Sequence, residues 1–250
     1  MTVSSQGTYK NLIEMLDNSR KRYAERPLFG TKRDGNYEWT TYEQFAEKVD
    51  DLRGGLASLG ISSGDKVAII SKNTEEWAVS AYATYGLCGQ HIPMYETQLA
   101  KEWEYIVRDC SAKVLLVSNP TVLEQTLDFP ERIDSLEHVV LISGSSSKEV
   151  KTYDDLLKTG RENPVEAQQP ESGSPMGMIY TSGTTGDPKG VILSHRNIIF
   201  ECQAVLPLLG MTENDRSLAF LPWAHVFGQV AEVHGLLNSG GSAGLVEDVN

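Results

Sequence analysis

The sequence predicts an α/β protein, mainly parallel sheets covered by helices, with a Gly/Thr/Ser loop between two strands. Three observations predict it. Short apolar runs at 66–71 (KVAIIS), 113–118 (KVLLVS) and 138–143 (HVVLIS) have the length and β-branched content of buried strands. Stretches of helical length lie between several of them, as in TEEWAVSAYATYGLCG and LAKEWEYIVRDC. Strands alternating with helices imply parallel pairing, with both faces of the sheet covered.

Taken in order, residues 8–25 place Leu12, Ile13, Leu16, Tyr23 and Ala24 near helical spacing. After Pro27 the pattern alternates about Asp34-Gly35, a hairpin signal. Thr41 suits the cap of a helix that stops at Gly60. The run 66–71 is the first buried strand, with Lys72 and Asn73 in structural positions at its end. Glu75 and Glu76 fall in the first turn of the next helix, where negative charge is favourable. QHIPMY (90–95) reads as a strand whose Pro93 suits an edge or a bend. Residues 161–175 are polar, proline-bearing and aperiodic, hence a linker or a long surface loop. Beyond them come a strand (MGMIYT), a loop, a strand (GVILS), a helix from about His195 capped by Ser194, a strand at 217–221, a helix, and a strand at 242–246. The segments expected are 1–60, an α/β unit at 61–160, the connection 161–175, and the start of a second α/β unit at 176–250.

The chain has 250 residues, 40% hydrophobic and 22% charged, enough for a core and against general disorder. Its net charge of −12 excludes a nucleic-acid partner as the leading reading, because phosphate backbones reward the opposite sign. Cys88, Cys110 and Cys202 fit neither a zinc spacing nor a disulfide framework, and read as free thiols in a reducing compartment. With no signal-peptide pattern and no bilayer-length apolar run, the expected location is cytoplasmic. Peripheral membrane contact and a homodimer stay open.

The chemistry concentrates at 180–190, YTSGTTGDPKG. Glycines let backbone N–H groups approach a ligand and permit positive φ. Thr181, Ser182, Thr184 and Thr185 add hydroxyl donors, and Lys189 adds a mobile positive charge. Such a set suits oxyanions, above all a polyphosphate. It is not the NTPase P-loop, since Gly186 is followed by Asp187-Pro188 and Lys189 by Gly190. The bland alternative is a flexible surface loop. Aromatic residues at the spacing of Trp223 and Phe227 most often belong to a core. By itself, His225 reads as a structural histidine near a helix start.

YTSGTTGDPKGVILSHRN resembles the signature of the adenylate-forming (AMP-binding) superfamily. GDKVAIISKNTEEWAVSAYATYGLCGQHIPMY resembles that family's early α/β segment. LPWAHVFGQ (221–229) is similar to its next motif, a Pro-x-x-His segment lining the acyl pocket. The wording is most similar to bacterial-type long-chain fatty acyl-CoA synthetases, and the likeness runs from about residue 8 to the end. It implies ATP-dependent adenylation of a fatty acid with release of pyrophosphate, then acyl transfer to coenzyme A. Thr181, Ser182, Gly183, Thr184, Thr185, Gly186 and Lys189 match the motif that cradles the β- and γ-phosphates, with Thr184 at Mg²⁺. His225 and Lys189 are the implied catalytic residues, and Trp223, His225, Val226 and Phe227 the implied acyl-site residues. Aryl, acetyl or amino-acid activation, or a non-catalytic phosphate- or protein-binding module, are the alternatives.

The family pattern continues past Asn250 with ATP-, metal- and ribose-binding segments and a catalytic lysine. The sequence therefore reads as an N-terminal portion with an incomplete sheet. By itself it is expected to show little ligase activity and to associate through open apolar faces.

Overall fold

The computed structural model describes residues 9–147, 149–181 and 186–246. Helix α1 (Leu12–Tyr23) starts on Asn11, whose side chain accepts the Glu14 amide. Strands β1 (Pro27–Arg33) and β2 (Asn36–Thr41) turn through Asp34 and Gly35, both at positive φ as a tight hairpin demands. Thr41 caps α2 (Tyr42–Ser58) in a reciprocal box with Gln44. Then follow β3 (Lys66–Ile70), α3 (Glu75–Tyr85), β4 (Gln90–Met94), α4 (Ala100–Cys110) and β5 (Val114–Val117). Helices α5 (Pro120–Thr126) and α6 (Phe129–Arg132) precede β6 (His138–Leu141), β7 (Lys151–Thr152) and α7 (Tyr153–Glu162). The hairpin strands β8 (Pro175–Thr181) and β9 (Lys189–Ser194) lead into α8 (His195–Leu209), capped by Ser194, and β10 (Arg216–Ala219). The last helix runs as α9 (Val226–Gly228), a π-helical segment (Gln229–His234) and α10 (Gly235–Ser239), before β11 (Ser242–Leu245).

These strands form two sheets, ordered β10-β11-β1-β2 and β7-β6-β5-β3-β4-β8-β9. All pairings are parallel except the β1–β2 and β8–β9 hairpins. Sheet membership crosses the segment boundaries expected at 60 and 175. Strands β8 and β9 extend the sheet of β3–β7 because β8 pairs with β4, and β11 lies beside β1. Nor is β4 an edge strand, despite Pro93. It lies between β3 and β8, with a β3 ladder along its whole length. Its register with β8 is confined to His91 and Gly177, so Pro93 lies past that ladder and costs no second pairing.

Apolar residues of β3 alternate between two cores, which explains a continuous apolar run rather than a half-polar one. Val67 and Ile69 join the core beneath α1, α2, α3 and α8, while Ala68 and Ile70 join the core beneath α4, α5 and α6. Residues 163–174 form a surface loop fastened to the body. Arg53 Nε donates to the Val165 carbonyl at 2.7 Å, the Gln168 amide to Gly86 at 2.8 Å, and Asn11 Nδ2 to Pro170 at 2.9 Å.

Candidate functional site

Strands β3, β4 and β8 are parallel neighbours, so their C-terminal ends open at one edge of the sheet. Open α/β sheets bind ligands at that edge. The turn Ser71–Asn73 follows β3, Tyr95–Thr97 follows β4, and the Ser/Thr/Gly loop follows β8. A cleft of about 290 Å³ lies here, lined by Ser71, Asn73, Tyr95 and Thr97 from this sheet and by Phe220 and Ala224 from the chain after β10. It therefore spans the junction of the two sheets.

The loop is held by an antiparallel hairpin in which Thr181 pairs with Lys189. Both side chains are exposed at its mouth. Gly186 has φ +137°, a conformation that a side chain would strain. Ser182, Gly183, Thr184 and Thr185, with the Mg²⁺ assignment on Thr184, lie outside the described residues. At the end of β8, beside Thr181, the Tyr180 hydroxyl donates to Asp109 Oδ2 of α4 at 2.5 Å. Burial, then this hydrogen bond, pushes the Tyr180 hydroxyl well above the usual tyrosine range. The hairpin is thus tethered to a helix beside its open end. Among the described residues, no group of three or more His, Cys, Asp or Glu side chains stands where it could hold a metal ion. Nor is any helix there long and apolar enough to cross a membrane.

The segment after β10 carries the remaining site residues. His225 is exposed and caps α9, its Nδ1 accepting the Phe227 amide at 3.2 Å. Phe227 is 57% exposed and Val226 half-buried against the core. Trp223 differs from the expectation of a channel wall. Its indole is wholly buried, tilted against Phe29 and edge-on to Trp77, so its area is spent on the core even where it borders the cleft. The structure groups Trp223, His225, Val226 and Phe227 on one short turn, while Thr181, Gly186 and Lys189 stand on the hairpin.

Three polar residues, none of them among the predicted site residues, hold this turn. Asn73 Nδ2 donates to the carbonyls of Leu221 (2.8 Å) and Ala219 (3.3 Å), and its Oδ1 accepts the Trp223 amide at 2.9 Å. Glu232 accepts the Trp223 indole N–H at 3.0 Å and the Leu221 amide at 3.2 Å. Gln229 Nε2 donates to the Trp223 carbonyl at 2.8 Å. Burial raises the Glu232 carboxyl above its ordinary range, and the indole hydrogen bond draws it part of the way back. A lone acid within the apolar run VAEVHGLL is the sequence signal for such a carboxylate, since a buried charge must find donors.

This two-sheet α/β fold matches the N-terminal portion of adenylate-forming enzyme structures. The family model for AMP-binding enzymes matches residues 16–250, and the chain belongs to that family. Fatty acyl-CoA synthetase B of Dictyostelium discoideum is 30% identical over 237 residues, covering 88% of this chain and 35% of that protein. Long chain acyl-CoA synthetase 4 of Arabidopsis thaliana is 28% identical over 238 residues, covering 86% and 35%. The crystal structure of the anthranilate CoA ligase AuaEII in complex with anthranoyl-AMP superposes with a TM-score of 0.88 at 25% identity, over 100% of this chain and 47% of that one. The chain thus spans 35% of the length of these curated relatives.

Proposed function

We propose that the protein is an AMP-forming acyl-CoA synthetase that adenylates a long-chain fatty acid with ATP and passes the acyl group to coenzyme A. One observation carries the reading: the phosphate-type loop and the inter-sheet cleft open at the same edge, one after β8 and the other around its neighbour β4. The names of the relatives support the choice of acid. Adenylation brings an anionic carboxylate to an anionic phosphate, so its barrier falls when fixed donors offset the charge. Thr181, Gly186 and Lys189 fit that task, as donors and a φ-permissive turn around the loop; Ser182, Gly183, Thr184 and Thr185 complete the proposed cradle. A Mg²⁺ ion at Thr184 would add further charge neutralisation. His225 is placed in this reading at the acyl carboxylate, with Val226 and Phe227 along the chain.

The test is fatty-acid-dependent ATP–pyrophosphate exchange by the intact protein that carries this chain. Exchange with long-chain acids is expected, and Lys189→Ala should lower it by about 100-fold, the usual cost of removing one stabilising donor. Absence of exchange with every fatty acid, or full activity of Lys189→Ala, would overturn the reading.

A further inference from the structure

The residues after β10 have no regular secondary structure until α9, yet their polar groups are bound from two sides. From one side comes Asn73, in the turn after β3 of the seven-stranded sheet. Its amide grips three backbone groups on Ala219, Leu221 and Trp223 at once. From the other side comes Glu232, only 4% exposed, on the π-helical segment. It takes the Leu221 amide and the Trp223 indole. A π segment is a costly irregularity in a helix and recurs at functional sites. Here it carries Gln229 and Glu232, which both bond the same turn. A buried carboxylate and a three-bond asparagine give far more constraint than a surface connection needs. Ala224, lining the cleft, and His225, capping α9, follow directly.

We propose that Asn73 and Glu232 are positioning residues, which clamp the Ala219–Trp223 segment from two different elements and so fix where Ala224 stands at the cleft and where the adjoining His225 begins α9. The inference rests on the acyl-CoA synthetase reading for its catalytic consequence, but the clamp itself can be read without turnover. Each half protects different protons. Asn73 holds the Trp223 amide, whereas Glu232 holds the Leu221 amide and the Trp223 indole N–H.

The experiment combines hydrogen exchange by NMR with ATP–pyrophosphate exchange kinetics, on Asn73→Ala and Glu232→Gln in the intact protein. Asn73→Ala should release the Trp223 amide while Leu221 stays protected. Glu232→Gln, which leaves one oxygen acceptor, should release the Leu221 amide or the indole N–H while the Trp223 amide stays protected. Both variants should shift the His225 imidazole resonances. Both should lower kcat by roughly 10- to 100-fold, the scale of an ångström's misplacement, with KM for ATP little changed. Protection that is unaltered, or lost throughout the fold in both variants, overturns the clamp. Released protons with unaltered kcat overturn the positioning role. A wild-type protein without fatty-acid-dependent exchange defeats the functional reading instead, and the crossed protection pattern then still decides the clamp.

Discussion

Trp223 and Phe227 are four positions apart and belong to opposite environments, one wholly buried and the other 57% exposed. The indole of Trp223 both fills the core and donates to Glu232. Trp223→Phe keeps most of the ring and removes the donor, leaving a buried carboxylate short of a partner. It should cost about 1–3 kcal/mol in urea unfolding. Phe227→Ala should stay within about 0.5 kcal/mol of wild type, yet change the preference for acyl chains if Phe227 lines their path. Equal stability losses in the two would refute this division. Composition and spacing did not separate these aromatics, because 223–227 reads alike for a channel or a core. The polar handle was the missing clue, since Glu232 lies nine residues downstream. His225 shows a similar limit. Its sequence context suits a helix start as well as a ligand site, and its structural role as cap of α9 is compatible with both.

Among the elements, the β8–β9 hairpin joins the sheet at a single register pair. Strand β8 meets β4 at Gly177, where an added Cβ would lie 2.1 Å from the His91 carbonyl oxygen. Backbone cannot swing aside as a side-chain tip can. Gly177→Ala should therefore push β8 away from β4, costing at least the 1–3 kcal/mol or so typical of overpacking. The sequestered amides of β8 should exchange faster while those of β3 and β5 do not, and uniform loosening would contradict the localisation. A second close approach joins α2 to α7. A Cβ on Gly160 would stand 1.6 Å from the Asp51 carbonyl oxygen, and one on Gly55 would stand 2.3 Å from that of Leu156. Gly160→Ala should separate these helices and destabilise by a similar ~1–3 kcal/mol, read as a lower unfolding midpoint. Element by element, strands β3, β5 and β6 were legible because both their faces are buried, giving unbroken apolar runs. Capping residues Thr41 and Ser194 marked helix starts for the same local reason. Helix α7 went unread although Thr152 caps it and Tyr153 and Leu156 give it a buried face, because its closest approach to α2 is made through Gly55 and Gly160, which carry no apolar signal. The interior place of β4 was hidden too, because a proline reports on one strand's donors and not on how short its neighbour's ladder is.

For the whole molecule, the convergence of separate segments on one buried polar cluster has a consequence for acid stability. His91 of β4, His195 at the start of α8 and His234 of the π-helical segment surround Tyr85 of α3, with ring centroids 5.5–6.4 Å from it. All three are buried, His91 against the Ser80 hydroxyl at 3.0 Å and His234 against that of Tyr82 at 2.8 Å. His195 Nδ1 accepts the Leu12 amide at 3.5 Å, tying α1 to the same centre. Among the described residues, no acidic group compensates a positive charge there. Burial, reinforced by His234 for His91 and by His195 for His234, lowers them to about 3 for His91, about 4 for His195 and about 3 for His234, from 6.5. The unfolded chain takes up these protons near pH 6.5, whereas the folded chain refuses them until pH 4 or below. Between those limits the unfolded state binds more protons, so stability rises with pH. The contribution is complete above pH 6.5 and drains away as pH falls below it. Each histidine costs about 1.4 kcal/mol per pH unit, and three together roughly 4 kcal/mol per unit. Raised carboxyls such as Glu232 act in the opposite sense but are too few to cancel three histidines. Urea unfolding between pH 7.5 and 5.5 should therefore show stability falling steeply below pH 6.5. His234→Gln, whatever its cost at pH 7.5, should flatten the slope by about one proton. A stability that is level across this range, or a slope unchanged in His234→Gln, would show that the cluster already holds its protons in the native state.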